Sequence, residues 1–313
     1  MDVISDALRQ VRLSGAVLFR IEVGAPWAVL TSTTLALPPP ATHMATFHVV
    51  LDGECWVGHQ DEPKRRLTAG EAVILPRTVQ HFLGDAAGRT PADTTELIGK
   101  RPLSKLHDVK WGGDGPRTRL LCGFLGYEPA MVSPLFDALP TLFVVRLAGD
   151  GATPALDPLL AYAEDQIISR RPGSVELRVR MAELLFIEAL RRHMALLRAD
   201  EFGWLAGVRD PLVGRALSLL HTSPGQAWTM SALAQSAASS RSVLTERFQT
   251  LLGEPPMQYL TNWRMRLAAR RLRDSRDNIA QIAAGVGYGS SVAFQRAFKR
   301  CMHTTPAAWR RSI

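Results

Sequence analysis

Hydrophobic and polar positions change their rhythm along this chain. Up to about residue 150 the apolar runs are short. "ATFHVVLDGECWVG" and "EAVILPRTVQHFLG" end in Gly or are punctuated by Asp and Pro, as strands bounded by turns are. The stretch "RTPADTTELIGKRPLSKLHDVKWGGDGPR" breaks this pattern and reads partly as irregular surface. From "DPLLAYAEDQII" the apolar spacing lengthens, with Asp157 as a cap and Pro158 near the start. A longer helix follows Gly173, where Leu177, Met181, Leu184 and Leu185 recur at helical spacing. Two such helices must cover something, either the β-rich part or a second copy of themselves. "DPLVGRALSLLH" then opens with an Asp cap and a Pro at the first helical position. The expected organisation is a β-rich domain over 1–150, a helical linker or dimerisation region over 151–208, and a helical domain over 209–313.

The last region repeats itself. Ser240, Leu244, Phe248, Gly253 and Pro256 have the same spacings as Ser290, Phe294, Phe298, His303 and Pro306, fifty residues later. "MSALAQSAA" precedes the first set and "NIAQIAAGV" the second, so each unit reads helix, turn, helix. Small residues (Ala234, Ala237, Ala283) let the two helices cross closely. Gly287 supplies a turn and Ser240 and Ser290 cap the second helices. The i,i+4 pairs Leu244/Phe248 and Phe294/Phe298 bury one face and leave the other open. Between the units, "WRMRLAARRLRD" predicts a helix from Pro256 to about Arg273.

Charge gives these open faces a partner. The net charge is +8, and from Arg209 onward there are 15 basic residues against 5 acidic. The positive balance therefore sits in the repeat region, which draws it to a polyanion. A second helix of this size fits the major groove of double-stranded DNA. In unit one its exposed residues are Arg241, Ser242, Thr245, Glu246 and Gln249. In unit two they are Ser291, Val292, Gln295, Arg296 and Lys299. Arg suits guanine, Gln adenine, and Val or Thr the thymine methyl. Arg270 and Arg300 are phosphate candidates. Glu246 is expected to accept from cytosine or to pair with Arg247 or another arginine.

These residues resemble a known family. "LAQSAASSRSVLTERFQTLLGEPPMQYLTNWRMRLAARRL" and "IAQIAAGVGYGSSVAFQRAFKRCMHTTPAAWR" are similar to the DNA-binding domain of AraC/XylS-type bacterial transcriptional regulators. The resemblance implies two helix-turn-helix units on successive major-groove turns of one site, with RNA polymerase as a partner if the protein is an activator. His303 departs from it, standing where the family and Gly253 have glycine. "FHVVLDGECWVG", "LTAGEAVILPRTVQHFLGD" and "LLCGFLGYEP" resemble, less sharply, the cupin-type sensor domain of one subset, whose following helices often mediate dimers. The implied fold is α+β: an N-terminal β-rich cupin-like barrel with following helices, then an all-α domain with two helix-turn-helix units joined by a helix. A small-molecule effector and a homodimer are implied partners.

Cupins can also be metal enzymes. Gly70, Pro76 and His81 match the second cupin motif, but the first motif's His-x-His pair is absent and Phe47 stands at its glutamate. His48 and His81 with Cys55 or Cys122 make a conceivable N/S metal site. They are equally read as hydrogen-bonded core histidines, or as the lining of an effector pocket with Trp56 and Phe82. The reading adopted is that effector pocket, with no metal, no cofactor and no enzyme. The alternative is a metal-dependent cupin enzyme with a nucleic-acid-binding appendage. Three unpaired cysteines and the absence of an 18-residue apolar run give an expected cytoplasmic setting, with no membrane partner.

Overall fold

The computed structural model describes Ser5 and residues 16–31, 43–59, 62–77, 79–98, 106–127, 134–169, 171–198 and 202–311. They fall into two compact units. Those within 13–128 and 139–196 form the first, and those within 1–12, 129–138 and 197–313 the second.

The first unit is β-rich. Its strands are β1 (Ala16–Gly24), β2 (Ala28–Leu30), β3 (His43–Asp52), β4 (Glu54–His59), β5 (Arg65–Thr68), β6 (Glu71–Leu75), β7 (His81–Gly84), β8 (Ala92–Asp93), β9 (Asp108–Gly112), β10 (Arg117–Tyr127) and β11 (Phe143–Arg146). One sheet runs β11-β6-β3-β10-β1-β9 and the other β5-β4-β7-β2-β8. Their inner faces share one core, with Phe19, Ile21, Val50, Val73 and Leu120 from the larger sheet against Cys55, Val57, Leu67 and Leu83 from the smaller. The expected cupin-like, β-rich fold is present, but its two sheets do not close into a barrel. Among the described residues no ladder joins the sheets, and the smaller sheet ends in strands of four and two residues, too short to carry pairing round. The stretch expected as irregular surface contributes β8, a short helix α1 (Thr94–Ile98) and β9, which pairs in parallel with β1.

Helices α3 (Leu156–Ser169) and α4 (Ser174–Leu196) complete this unit, and both pack on β1. Met181, Ala182, Leu185 and Phe186 are buried. Leu177 and Leu184, expected beside them, are 41% and 46% exposed, because the buried stripe is shifted along the helix. The buried Arg178 ties α4 down. Its Nη1 donates to the Leu18 carbonyl at 3.3 Å and the Leu106 carbonyl at 3.4 Å, and lies 2.7 Å from His107 Nδ1.

The second unit is helical: α2 (Pro134–Ala138), α5 (Trp204–Arg209), α6 (Pro211–Thr222), α7 (Met230–Ser236), α8 (Arg241–Leu252), α9 (Pro256–Asp274), α10 (Ile279–Gly285), α11 (Ser291–Met302) and α12 (Pro306–Arg311). Asp210 caps α6 as expected, accepting from the amides of Leu212 and Val213 at 3.0 and 2.9 Å. Helix α9 is the spine. On one side Tyr259 and Trp263 meet His221 of α6, whose ring stacks on Trp263 at 4.0 Å. On the other, Met265, Ala268, Ala269 and Leu272 share a core with Ile282, Phe294 and Phe298.

Candidate nucleic-acid interface

The fifty-residue repeat holds position by position. Ser240 accepts from the Val243 amide at 3.2 Å and Ser290 from the Ala293 amide at 3.4 Å, capping α8 and α11. Leu244 and Phe248, like Phe294 and Phe298, are fully buried. Gly253 (φ 76°) and His303 (φ 57°) both end their helices in the left-handed conformation. Pro256 and Pro306 open the next helices. Each first helix is capped as well, α7 by Thr229 and α10 by a reciprocal Asn278–Gln281 box.

The turns differ slightly. Gly287 has φ 85°, and a Cβ there would lie 2.6 Å from the Gly225 carbonyl oxygen, so glycine is required twice over. In unit one a non-glycine residue, Ala238, takes φ 57°. No sequence signal marked it.

Anchoring one face of each second helix presents the other. Arg241, Ser242, Glu246 and Gln249 are exposed, and Thr245 is half-buried with its hydroxyl 3.8 Å from Met230 Sδ. Val292, Gln295, Arg296, Lys299 and Arg300 are exposed and Ser291 is half-buried. Arg247 pairs with Asp210 at 2.8 Å and not with Glu246, so the Glu246 carboxylate makes no ion pair among the described residues. Gln249 Nε2 donates to the Gly253 carbonyl at 2.7 Å, a bond it must release to reach a base. Arg270 is half-buried and 3.4 Å from Asp274. Arg264 serves the fold. Its Nε and Nη2 donate to the carbonyls of Pro224 and Gln226, each at 2.7 Å, fixing the loop before α7 onto α9.

In the first unit the structure brings two of the four candidate pocket residues together. His48 Nε2 lies 2.9 Å from His81 Nε2, and His48 Nδ1 lies 2.9 Å from Cys122 Sγ. His81 Nδ1 lies 2.8 Å from Thr31 Oγ1 and 3.2 Å from the Val79 carbonyl. One proton arrangement satisfies this chain: the thiol donates to His48, His48 donates to His81, and His81 donates to Thr31 and Val79. Every member is then neutral. Burial, reinforced by His81, holds His48 well below the usual histidine range. Burial lowers His81 to about 4, against the Val79 hydrogen bond that favours its charged form. Burial also raises the Cys122 thiol.

Trp56 and Phe82 are not in this cluster. Trp56 pairs with Gly84 and Phe82 with Gly58, which puts both on the face of the smaller sheet opposite Cys55, Val57 and Leu83. The expected four-residue pocket is corrected accordingly. Lys64 caps the Phe82 ring at 3.8 Å.

The cluster does not fit a metal. Two ligands on one tetrahedral zinc stand about 3.3 Å apart, and His48 turns its two nitrogens to different neighbours 2.9 Å away. Among the described residues no group of three or more His, Cys, Asp or Glu is placed to hold an ion, and none of their helices is long and apolar enough to cross a membrane.

Both parts of the chain are similar to known proteins. Residues 2–195 match the family model described as Cupin, and residues 233–312 match the helix-turn-helix domain model. Over 99% of its length the chain is 31% identical to an AraC-like transcription regulator of Streptomyces lividans, covering 98% of that protein. The chain belongs to the AraC-like transcription regulators. This AraC-like regulator is also similar to the HTH-type transcriptional regulator AlkR of Acinetobacter baylyi, at 28% identity over 99% of each chain. Among solved structures, its C-terminal part is 30% identical to the DNA-binding domain of AdpA in complex with a target DNA, covering 33% of this chain and 92% of that one at a TM-score of 0.32. The AraC-like regulator is a DNA-binding transcription regulator with a cupin-type N-terminal unit.

Proposed function

We propose that this regulator reads one duplex with α8 and α11 in successive turns of the major groove. The observation that carries this is the matched pair of second helices, with caps and apolar anchors in register and a polar outward face on each. Arg241, Ser242, Thr245, Glu246 and Gln249 meet base edges in one box. Ser291, Val292, Gln295, Arg296 and Lys299 meet them in the next. Arg270 and Arg300 contact phosphates. The cupin-type unit takes a small effector, with the His48–His81 cluster facing its interior. The exposed apolar residues Tyr162, Ile168, Val175, Leu177 and Leu184 of α3 and α4 form a homodimer face. The protein acts in the cytoplasm, carries out no catalysis, and engages RNA polymerase where its site lies favourably for activation.

Selection from a random duplex pool with the purified full chain, at near-physiological salt, tests the reading. Two short enriched boxes about one helical turn apart are expected. Tight binding with no enriched motif refutes sequence-specific reading.

A further inference from the structure

The second unit contains a cavity of about 780 Å³, within the range of small-molecule sites. It lies against α9 and touches Leu252 and Met302, the last residues of the two reading helices. Trp204, Trp263 and Trp309, from α5, α9 and α12, give it aromatic walls.

Its charges are unevenly matched. Arg266 faces the cavity but is paired with Asp137 at 3.1 Å. The Glu254 carboxylate has a neutral partner, Asn262, whose Nδ2 donates to it at 2.8 Å. Among the described lining residues, the carboxylates of Asp137 and Glu254 stand against the one guanidinium of Arg266, beside three indoles. Burial raises the Glu254 carboxyl even though Asn262 and Arg266 favour its charged form, and a further cation beside it would relieve that cost. Indole faces attract cations as well as apolar surface. These features match one ligand chemistry.

We infer that this cavity binds an aromatic organic cation. The site is separate from the effector site proposed in the cupin-type unit. An occupant reaches the ends of both reading helices through Leu252 and Met302.

Tetraphenylphosphonium and tetraphenylborate are useful probes because they share a shape and differ in charge. Each would be titrated calorimetrically into the full-length protein, wild type and Glu254→Gln, without DNA. The expected result is one tetraphenylphosphonium per chain, at least about tenfold tighter than the borate. Glu254→Gln keeps an acceptor for Asn262 and should remove most of that preference. Met302→Trp, which fills the cavity from the end of α11, should abolish binding. Circular dichroism would confirm that each variant folds, and the cation-to-anion ratio in the wild type stands even if one does not. No binding, equal affinity for the two ions, or a preference untouched by both folded variants would overturn the inference. DNA selection does not enter this readout, so its failure leaves this test intact.

Discussion

Gly253 and His303 occupy equivalent places in the two units, and exchanging their chemistry isolates one backbone cost. Both are left-handed, at φ 76° and 57°. A Cβ at Gly253 would meet nothing within 4 Å, so Gly253→Ala adds no clash. What remains is the left-handed conformation itself, about 1 kcal/mol or slightly more for a residue with a Cβ. His303→Gly should recover a similar amount, less the extra freedom glycine gains in the unfolded chain, for a net gain of about 0.5 kcal/mol. In a unit of this size 1 kcal/mol moves the melting temperature by about 4 °C. Scanning calorimetry on the full chain, following the transition of the helical unit, should show Gly253→Ala falling and His303→Gly rising. Neither residue is on a reading face, so affinity for the selected duplex should stay unchanged. A stability loss in His303→Gly comparable to that of Gly253→Ala would refute the reasoning. It would mean the imidazole makes contacts that outweigh the backbone.

Other consequences are equally open to measurement. Arg241→Ala or Gln295→Ala should weaken the selected duplex by about 1–3 kcal/mol more than a random one, whereas equal losses in titrations of both would place these side chains on phosphates. Arg178→Ala should destabilise the β-rich unit by about 3 kcal/mol in urea denaturation, since it strips two buried carbonyls of a charged donor, and a change within 0.5 kcal/mol would show that water replaces it. The histidine chain makes that unit acid-sensitive. The unfolded state takes up protons below about pH 6.5 while His81 resists to about 4, so stability is full near neutrality and declines as pH falls between those values, by about 3 kcal/mol for His81 alone. Denaturation midpoints that stay flat over that window would count against a buried neutral pair.

The helical third was legible because its determinants are local. A serine three residues before the amide it caps, two apolar residues four apart and a helix-ending glycine all lie within the fourteen residues from Ser240 to Gly253, and each keeps its role. Even His303, the departure from the pattern, ends its helix in the same left-handed conformation as Gly253. The β-rich unit was legible as strands but not as an assembly. His48 and His81 are 33 residues apart and meet only because β3 and β7 belong to facing sheets. Trp56 and Phe82 looked like their companions, yet side-chain alternation and the β4–β7 register send both to the other face. Nothing in the sequence singled out Arg178, because no local pattern shows that a guanidinium will meet the carbonyls of Leu18 and Leu106, distant in the chain. The helix Pro134–Ala138 belongs to the second unit although both flanking strands belong to the first, a grouping that sequence order hides.

The close approach of Gly287 to Gly225 bears on what the regulator can tolerate in its target. The loop before α7 lies against the turn between α10 and α11 with no room for a Cβ at Gly287, and Arg264 pins that loop to the spine. The two readers are thus clamped as one caliper, not strung on a tether. Each base pair inserted between two boxes rotates the second by about 35° around the duplex axis. A tethered pair could follow that rotation, but a caliper cannot. Functional targets scattered through a genome should therefore vary in the letters of their boxes far more than in the gap between them.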